Sequence, residues 1–273
     1  MPEAAEVETV RRQLEEHLPL QVLDIRITGR RAVRAHDVDD LQALRGTTFT
    51  EAVRQGKWLG LRGPEGAMRV HLRMSGRLLL RDPATPRTHE HAVFDVVTRN
   101  GAARELVFFD PRTFGEIALW EATPLGTAAV DVLDSSRDDA VLEFVLKSKR
   151  CLKVLLLDQH AALQGLGNIY VDEVCHRIGV HPGIQADQLP ATAAALLMPA
   201  VREVIHEAVA ERGTALRDEG WADLYGEIGG FGPHLRVHEQ VTCRTCHGTV
   251  TRSKVANRTT YACGTCQKCP DRQ

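Results

Sequence analysis

Cys243-Arg244-Thr245-Cys246-His247-Gly248-Thr249-Val250-Thr251-Arg252-Ser253-Lys254-Val255-Ala256-Asn257-Arg258-Thr259-Thr260-Tyr261-Ala262-Cys263-Gly264-Thr265-Cys266 carries two Cys-x-x-Cys pairs with sixteen residues between them. Two thiolate pairs at this spacing match a four-cysteine tetrahedral zinc site, each pair on a tight knuckle and the chain between them folded as a hairpin. A second pair, Cys266-x-x-Cys269, overlaps the first, so Cys269 could replace Cys263. The strand-like run Thr259-Thr260-Tyr261-Ala262 leading into Cys263 favours the first register. The 33 residues from Val241 onward are too few for a large core, so the ion would supply the folding energy of this module. The hairpin bears Arg252, Lys254, Asn257 and Arg258, a basic surface suited to phosphates or simply to solvent.

The remaining composition sets broad limits. The 273 residues allow one large domain or two to three smaller ones. Hydrophobic residues make up 43% and charged residues 26%, an ordinary globular balance. No apolar run reaches the ~18 residues of a membrane span, and the N-terminus lacks the regions of a signal peptide. A cytoplasmic protein is the expectation, and there seven cysteines point to metal or free thiols more than to disulfides. Net charge is −2, yet from Val241 onward six basic residues face Asp271 alone. Affinity for phosphates follows such local patches, not the total.

Upstream, the hydrophobic period changes twice. Val7, Val10, Leu14 and Leu18 predict an amphipathic helix over residues 3–17. From Leu20 to Trp120 short alternating runs take over: Val22-x-x-Ile25-x-Ile27, Trp58-Leu59-x-Leu61, Leu78-Leu79-Leu80, Ala92 to Val97 and Leu106 to Phe109. Gly63-Pro64-Glu65-Gly66 and Asn100-Gly101 read as turns between them, and the whole suggests a β-sandwich or barrel. Beyond Pro124 the pattern is helical, with Val141, Phe144, Val145, Leu152, Leu155 and Leu156 on helix faces and a long helix through Leu196, Leu197, Val201, Val204, Ile205 and Ala208. Cys151 and Cys175 fall in apolar helical stretches and read as buried structural thiols. Gly165-Leu166-Gly167 before Asn168 is either an anion-binding helix start or an ordinary tight turn. Gly213 to Gly232 reads as a long functional loop.

At the other end the chain reads Met1-Pro2-Glu3-Ala4-Ala5-Glu6-Val7-Glu8-Thr9. With Met1 removed, Pro2 would present a secondary amine. An α-amino group has a pKa near ~8, so part of it is unprotonated at neutral pH and can attack carbonyl-type carbon to form an imine. Glu3 and Glu6 lie within one turn and could move the protons. Taken alone, the same residues are an ordinary helix start, proline first and acids in the opening turn.

The order of motifs decides between these readings. The chain resembles the formamidopyrimidine-DNA glycosylase side of the Fpg/Nei family from end to end. The resemblance rests on Pro2-Glu3 with Glu6-Val7-Glu8-Thr9, Gly56-Lys57, His71-Leu72-Arg73-Met74-Ser75-Gly76, His89-Glu90-His91 and Asp110-Pro111-Arg112-Thr113-Phe114-Gly115. It continues through Leu156-Leu157-Asp158-Gln159, Gly165 to Tyr170, Gly213-Thr214, Leu216-Arg217-Asp218, Asn257-Arg258-Thr259-Thr260 and the four cysteines. It implies an α+β multidomain fold: an N-terminal catalytic β-sandwich with flanking helices over 1–128, a helical helix-two-turn-helix domain with a lesion-recognition loop over 129–232, and a four-cysteine zinc finger over 233–273.

The resemblance also implies roles. Pro2 is the nucleophile at C1′ of a damaged nucleotide, Glu3 the general acid/base, Glu6 its support, and Lys57 a member of the catalytic set that also contacts phosphate. His71, Lys153, Asn168 and Arg258 match phosphate contacts, whereas Lys57 and Lys153 taken alone would be solvated lysines. Met74, Arg112 and Phe114 match side chains that fill the gap left by an extruded base; Met74 and Phe114 taken singly would be core. Cys243, Cys246, Cys263 and Cys266 hold a structural zinc ion. The partner is double-stranded DNA with an oxidised purine or an abasic site, and the expected state is a monomer.

Several positions depart from the family pattern. Ala4-Ala5 stands for Leu-Pro, Arg73 for a small glycine and Thr113 for a common arginine. Val237-His238-Glu239-Gln240 and the 218–232 segment also differ. These cluster in lesion recognition and leave open a relative turned to other lesions; a third reading, a catalytically silent DNA-binding protein, has the retained Pro2 and Glu3 against it. On any of these readings duplex affinity falls as salt rises from about 50 to 200 mM, because phosphate contacts release counterions. An affinity that ignores salt in a fluorescence-anisotropy titration contradicts all three.

Overall fold

The computed structural model describes residues 2–29, 38–85, 87–120, 125, 129–216 and 221–267. The chain packs as two compact units, one of Met1–Gly126 with Val209–Gly230 and one of Thr127–Ala208 with Phe231–Gln273. Cys269 lies outside the described residues.

The first unit is a β-sandwich carrying an N-terminal helix. Helix α1 (Ala4–Glu15) starts from Glu3, and the reciprocal Glu3/Glu6 capping box satisfies two backbone donors that a helix start leaves open. Ala4 and Ala5 are completely buried, and Val7, Val10 and Leu14 enter the core. The strands follow in chain order as β1 (Leu20–Ile27), β2 (Thr48–Phe49), β3 (Glu51–Gln55), β4 (Trp58–Gly63), β5 (Gly66–His71), β6 (Arg77–Arg81), β7 (Glu90–Val97), β8 (Ala103–Phe109) and β9 (Glu116–Leu119). A short helix α2 (Val38–Gln42) precedes β2. One sheet runs β2-β1-β7-β8-β6 and the other β3-β4-β5-β9, with every pairing antiparallel. Both turns read from the sequence fall between paired strands, Gly63 facing Gly66 and the Asn100-Gly101 turn joining β7 to β8. Gly63 is obligatory there, since a Cβ would lie 1.9 Å from the Thr48 carbonyl oxygen.

The inward strand residues, among them Leu59, Leu61, Met68, Leu78, Phe94, Leu106 and Phe108, form one continuous core with α1, and β7 and β8 are buried on both faces along much of their length. Trp221 and Leu224 join that core. The Gly213–Gly232 segment is therefore partly a packing element, and its Leu224 carbonyl accepts the Leu80 N–H at 2.7 Å.

The second unit holds helices α3 (Asp138–Leu146), α4 (Leu152–Leu157), α5 (Asn168–Arg177) and all but the last two residues of α6 (Ala191–Ala210). It also holds the short parallel pair β10 (Val130–Asp131) and β11 (Leu163–Gln164), and the hairpin β12 (Val250–Val255) and β13 (Arg258–Cys263). The expected mixed fold of N-terminal sheets, helical region and C-terminal cysteine-bearing hairpin is observed. Ala256 and Asn257 both have positive φ, the two-residue turn that matches strand twist in a tight hairpin. One reading needs correction. Cys151 lies at the start of α4, half-buried, and its thiol donates to the Pro182 carbonyl. Phe144 and Leu196 sit on helices as read, each about half exposed.

α1 is tied to the sandwich by a buried ion pair. Arg54 Nε on β3 donates to Glu8 at 3.1 Å, both side chains being nearly inaccessible, while Arg11 and Arg12 approach the same carboxylate. Burial would raise the Glu8 pKa, but the hydrogen bonds of Arg11 and Arg12 and the charge of Arg54 outweigh it and hold it at about 2. The Glu8→Ala variant removes the carboxylate that neutralises the buried Arg54 and destabilises the first unit by about 3–5 kcal/mol in urea unfolding. A loss under about 1 kcal/mol, the value of an exposed pair, contradicts this.

Candidate active site and nucleic-acid interface

The sequence-derived residues divide between the units. Pro2, Glu3, Glu6, Lys57, His71, Met74, Arg112 and Phe114 belong to the first, and Lys153, Asn168, Arg258 and the four cysteines to the second.

In the first unit one carboxylate fixes the turn that follows the candidate nucleophile. Pro2 is buried, and Glu3 and Glu6 are each 1% exposed. Glu6 Oε2 accepts the Glu3 N–H at 2.7 Å, and Glu6 Oε1 accepts the Thr214 N–H at 2.7 Å. The Gly213–Thr214 turn thus rests on the first turn of α1. Only glycine fits at Gly213: its φ is +89°, and a Cβ would lie 2.9 Å from Glu6 and 2.8 Å from the Trp221 indole nitrogen. Further along α1, Gln13 Nε2 donates to Asp223 at 2.8 Å and its Oε1 accepts the Leu224 N–H at 3.0 Å. This docking was missed because Gln13 is an unremarkable polar position in a helical pattern.

Lys57 follows Gly56 in the tight turn between β3 and β4 and is 8% exposed, unlike a solvated lysine. Arg54, held by Glu8, donates to the Gly56 carbonyl at 2.9 Å, so one guanidinium fixes both α1 and the Lys57 turn. His71 ends β5, 9% exposed and edge-on to Trp58 with ring centroids 4.7 Å apart. The Arg73 N–H donates to His71 Nδ1 at 3.0 Å. The ring proton therefore sits on Nε2, which makes a neutral His71 a hydrogen-bond donor. Burial, with the charges of Arg73 and Lys57, pushes its pKa down to about 3.

Two loops present the proposed gap-filling side chains, and Asp110, fully buried, joins them. Its carboxylate accepts the Ser75 hydroxyl at 2.5 Å, the Arg112 N–H at 3.1 Å and the Gly115 N–H at 2.6 Å. Met74 and Phe114 are 48% and 44% exposed, so neither is core, and the Arg112 guanidinium lies 4.9 Å from the Phe114 ring centre. Arg73 and Thr113 each have φ near +55°, backbone that favours glycine and is costly for a β-branched residue. The family's glycine at the first position has a plain steric reason, and this chain holds Arg73 there without that relief.

In the second unit, helix α5 organises the hairpin. Asn168, Asp172 and His176 are four residues apart and share one face. Gly167 forms the N-cap, so Gly165-Leu166-Gly167 does open a helix. Lys153, with no exposed surface, donates from Nζ to Asp172 at 2.7 Å and to the Thr259 carbonyl at 2.9 Å. Asn168 Nδ2 donates to the same carbonyl at 2.9 Å, next to Arg258, and its Oδ1 has no partner among the described residues. Asp172 also bonds His238 Nδ1 at 2.9 Å and the Tyr261 N–H at 3.2 Å. Glu173 accepts the N–H groups of Arg236, Val237 and His238, and burial holds its pKa above the usual carboxylate value despite them. The atypical 237–240 run thus contributes His238 to a buried network. Two acids inside an apolar helix were the available signal for that network. Arg252, Lys254 and Arg258 remain exposed on the hairpin.

The Sγ atoms of Cys243, Cys246, Cys263 and Cys266 all lie within 4.8 Å of one another. Cys243 and Cys266 are 4.0 Å apart, and Cys246 and Cys263 3.4 Å. Tetrahedral ligands at about 2.3 Å from a metal would be about 3.8 Å apart, so the four thiols fit one ion.

With this geometry in hand, comparison with known proteins gives the class. Residues 1–117 match the formamidopyrimidine-DNA glycosylase N-terminal domain and residues 129–219 its H2TH domain. The chain belongs to the formamidopyrimidine-DNA glycosylase family. Curated relatives of that name include proteins of Pelotomaculum thermopropionicum, 35% identical over 98% of this chain and 99% of the relative, and of Mycobacterium avium, 36% identical over 99% of each. Among solved structures, a Lactococcus lactis Fpg bound to DNA with an abasic site superposes with a TM-score of 0.86 at 29% identity, covering 97% of this chain and 99% of that one. A MutM complex with DNA containing carbocyclic 8-oxo-G gives 0.84 at 29% identity, covering 98% and 100%. Among the described residues no helix is long and apolar enough to cross a membrane.

Two outcomes follow from the buried groups. His71 binds its proton in the unfolded chain near pH 6.5 but in the folded chain only near 3, so stability is retained above pH 6.5 and falls as pH drops through that window. At pH 5 the His71 contribution to this loss is on the order of 2 kcal/mol, which the His71→Gln variant recovers in paired pH-dependent melts; identical pH dependence in parent and variant contradicts the assignment. Asp172→Asn leaves Lys153 as an unpaired buried charge and costs the second unit about 3–5 kcal/mol. Unchanged unfolding of Asp172→Asn is the contrary result.

Proposed function

We propose that this chain is a bifunctional DNA glycosylase and abasic-site lyase of base-excision repair, acting on oxidised purines such as 8-oxoguanine and formamidopyrimidines in double-stranded DNA. The observation that carries the proposal is the pinned N-terminus, Pro2 buried beside Glu3 with both Glu6 oxygens engaged. The DNA complexes of the solved relatives support the partner.

In this reading Met1 is removed and the Pro2 nitrogen attacks C1′. The C1′–base bond breaks, and Glu3 supplies and takes up the protons as the base leaves and the sugar ring opens. The result is an iminium at C1′, which acidifies C2′. Loss of a C2′ proton expels the 3′ phosphate, and a second elimination expels the 5′ phosphate. Water then hydrolyses the imine and returns the Pro2 amine. Glu6 keeps the first turn in place. Lys57 and the Nε2–H of His71 offer donors to phosphate oxygens on the first unit, as Asn168 and Arg258 do on the second. Lys153 contributes most directly by holding the Thr259 carbonyl beside Arg258. Met74, Arg112 and Phe114 occupy the gap left by the flipped nucleotide, offsetting part of its unstacking cost of a few kcal/mol.

The cysteine cluster holds zinc in this reading, since four thiolates at tetrahedral spacing suit that ion. The ion scaffolds the hairpin and takes no part in the chemistry. The catalytic module is read as 1–128, the helical DNA-binding module as 129–232 and the zinc module as 233–273, in a cytoplasmic monomer. A second reading, preference for other lesions, is favoured by Arg73 and Thr113 at strained positions in the two gap-filling loops.

The test is strand cleavage across a panel of duplexes. The parent protein cleaves at 8-oxoguanine, Glu3→Gln slows base release by about 10²- to 10⁴-fold, and Pro2→Gly fails to cleave. Full cleavage by Pro2→Gly contradicts the nucleophile assignment. A clear preference for oxidised pyrimidines selects the second reading.

A further inference from the structure

We propose that His176 donates a hydrogen bond from Nε2 to the Cys243 thiolate and is thereby a positioning residue for the metal centre. The proposal rests on the reading of the four cysteines as a metal site and deepens it. His176 sits on α5, two turns beyond Asn168 on the face that also carries Asp172. Its ring is 5% exposed, and Nε2 lies 3.3 Å from Cys243 Sγ.

The direction of this bond follows from what surrounds the ring. Nδ1 is buried and has no partner among the described residues. A proton on Nδ1 would leave a buried N–H donor unmet and would point the Nε2 lone pair at sulfur. A proton on Nε2 gives the sulfur a donor and leaves only an acceptor unmet, the less costly of the two omissions. An imidazolium would again strand the Nδ1–H. The geometry therefore selects the Nε2–H form facing a sulfur acceptor, which a metal-bound thiolate is.

The charge at the site gives this bond its value. Four thiolates around a divalent ion carry a net charge of −2, and N–H groups directed at sulfur spread it. The backbone N–H groups of Thr245, Gly248 and Cys266 lie 3.4 Å from the sulfurs of Cys243, Cys246 and Cys263 respectively. Among the described residues only Cys243 also has a side-chain donor. Cys243 is completely buried, where the absence of water strengthens that bond. α5 thus reaches the C-terminal module three times along one face, at the Thr259 carbonyl, at His238 with Tyr261, and at the metal ligand itself.

Full-length parent, H176F and H176Q are compared by titrating Co(II) and Zn(II) against a chromophoric chelator. The thiolate-to-cobalt charge-transfer band is recorded alongside. H176F keeps a ring of similar size without the donor; H176Q restores an N–H near the Nε2 position. The expected result is a loss of metal affinity of at least about 10-fold in H176F with a shifted band, and near-parent values in H176Q. Parent-like affinity and an unshifted band in H176F overturn the proposal, as does an H176Q as weak as H176F, which would make the effect one of packing. If the parent binds neither ion, the metal reading falls with it; if all three bind alike, only the role of His176 falls.

Discussion

A secondary amine that is unprotonated near neutral pH exists in a protein only at a chain terminus, and chain termini fray. On the proposed role of Pro2, that conflict constrains the first unit, because positioned chemistry would require the amine to be as fixed as a core residue. The structure meets the requirement by burying the start of α1 completely and by spending both oxygens of Glu6, one on the Glu3 N–H and one on the Thr214 N–H. The small Ala4 and Ala5 lie under that turn, and Gly213 is the residue that lets a second segment approach closely enough to be bonded. Glu8 and Arg54 then extend the same fixation to the Lys57 turn.

The second unit solves an analogous problem with different means. A small module around four cysteines has little core of its own, so its hairpin needs an external reference. That reference is α5, whose Asp172 and Glu173 are buried and each satisfied by several donors. Buried charges of this kind add little net stability when fully paired but penalise any other arrangement heavily. Here they hold the Thr259 carbonyl and hence the neighbouring Arg258 in one place relative to Asn168.

Much of this was legible in the sequence, and unevenly so. Short apolar runs such as Ala92–Val97 and Leu106–Phe109 predict strands, and both faces of each are buried where alternation implies a half-buried strand; the two glycine-containing turns each join a paired hairpin. The cysteine spacing predicts the hairpin because the chain between two knuckles must return. Met74 and Phe114 could not be told from core residues by type, and only their exposure separates them. Lys153 and His238 carried no local sign of burial, since each is buried by partners 19 or more residues away. The packing of Trp221 and Leu224 into the sandwich was hidden for the same reason, because a glycine-rich stretch looks the same whether or not it docks. Cys151 reads as helical by its neighbours, and only the backbone shows that it stops one residue short of the helix.

The most direct measurement is peptide mapping of the covalent intermediate. Protein incubated with an 8-oxoguanine duplex is reduced with borohydride, digested, and the DNA-bearing residue located by tandem mass spectrometry. The account predicts a single adduct on the Pro2 amine of a chain that has lost Met1. An adduct on Lys57 or Lys153, or none while the strand is still cleaved, contradicts it.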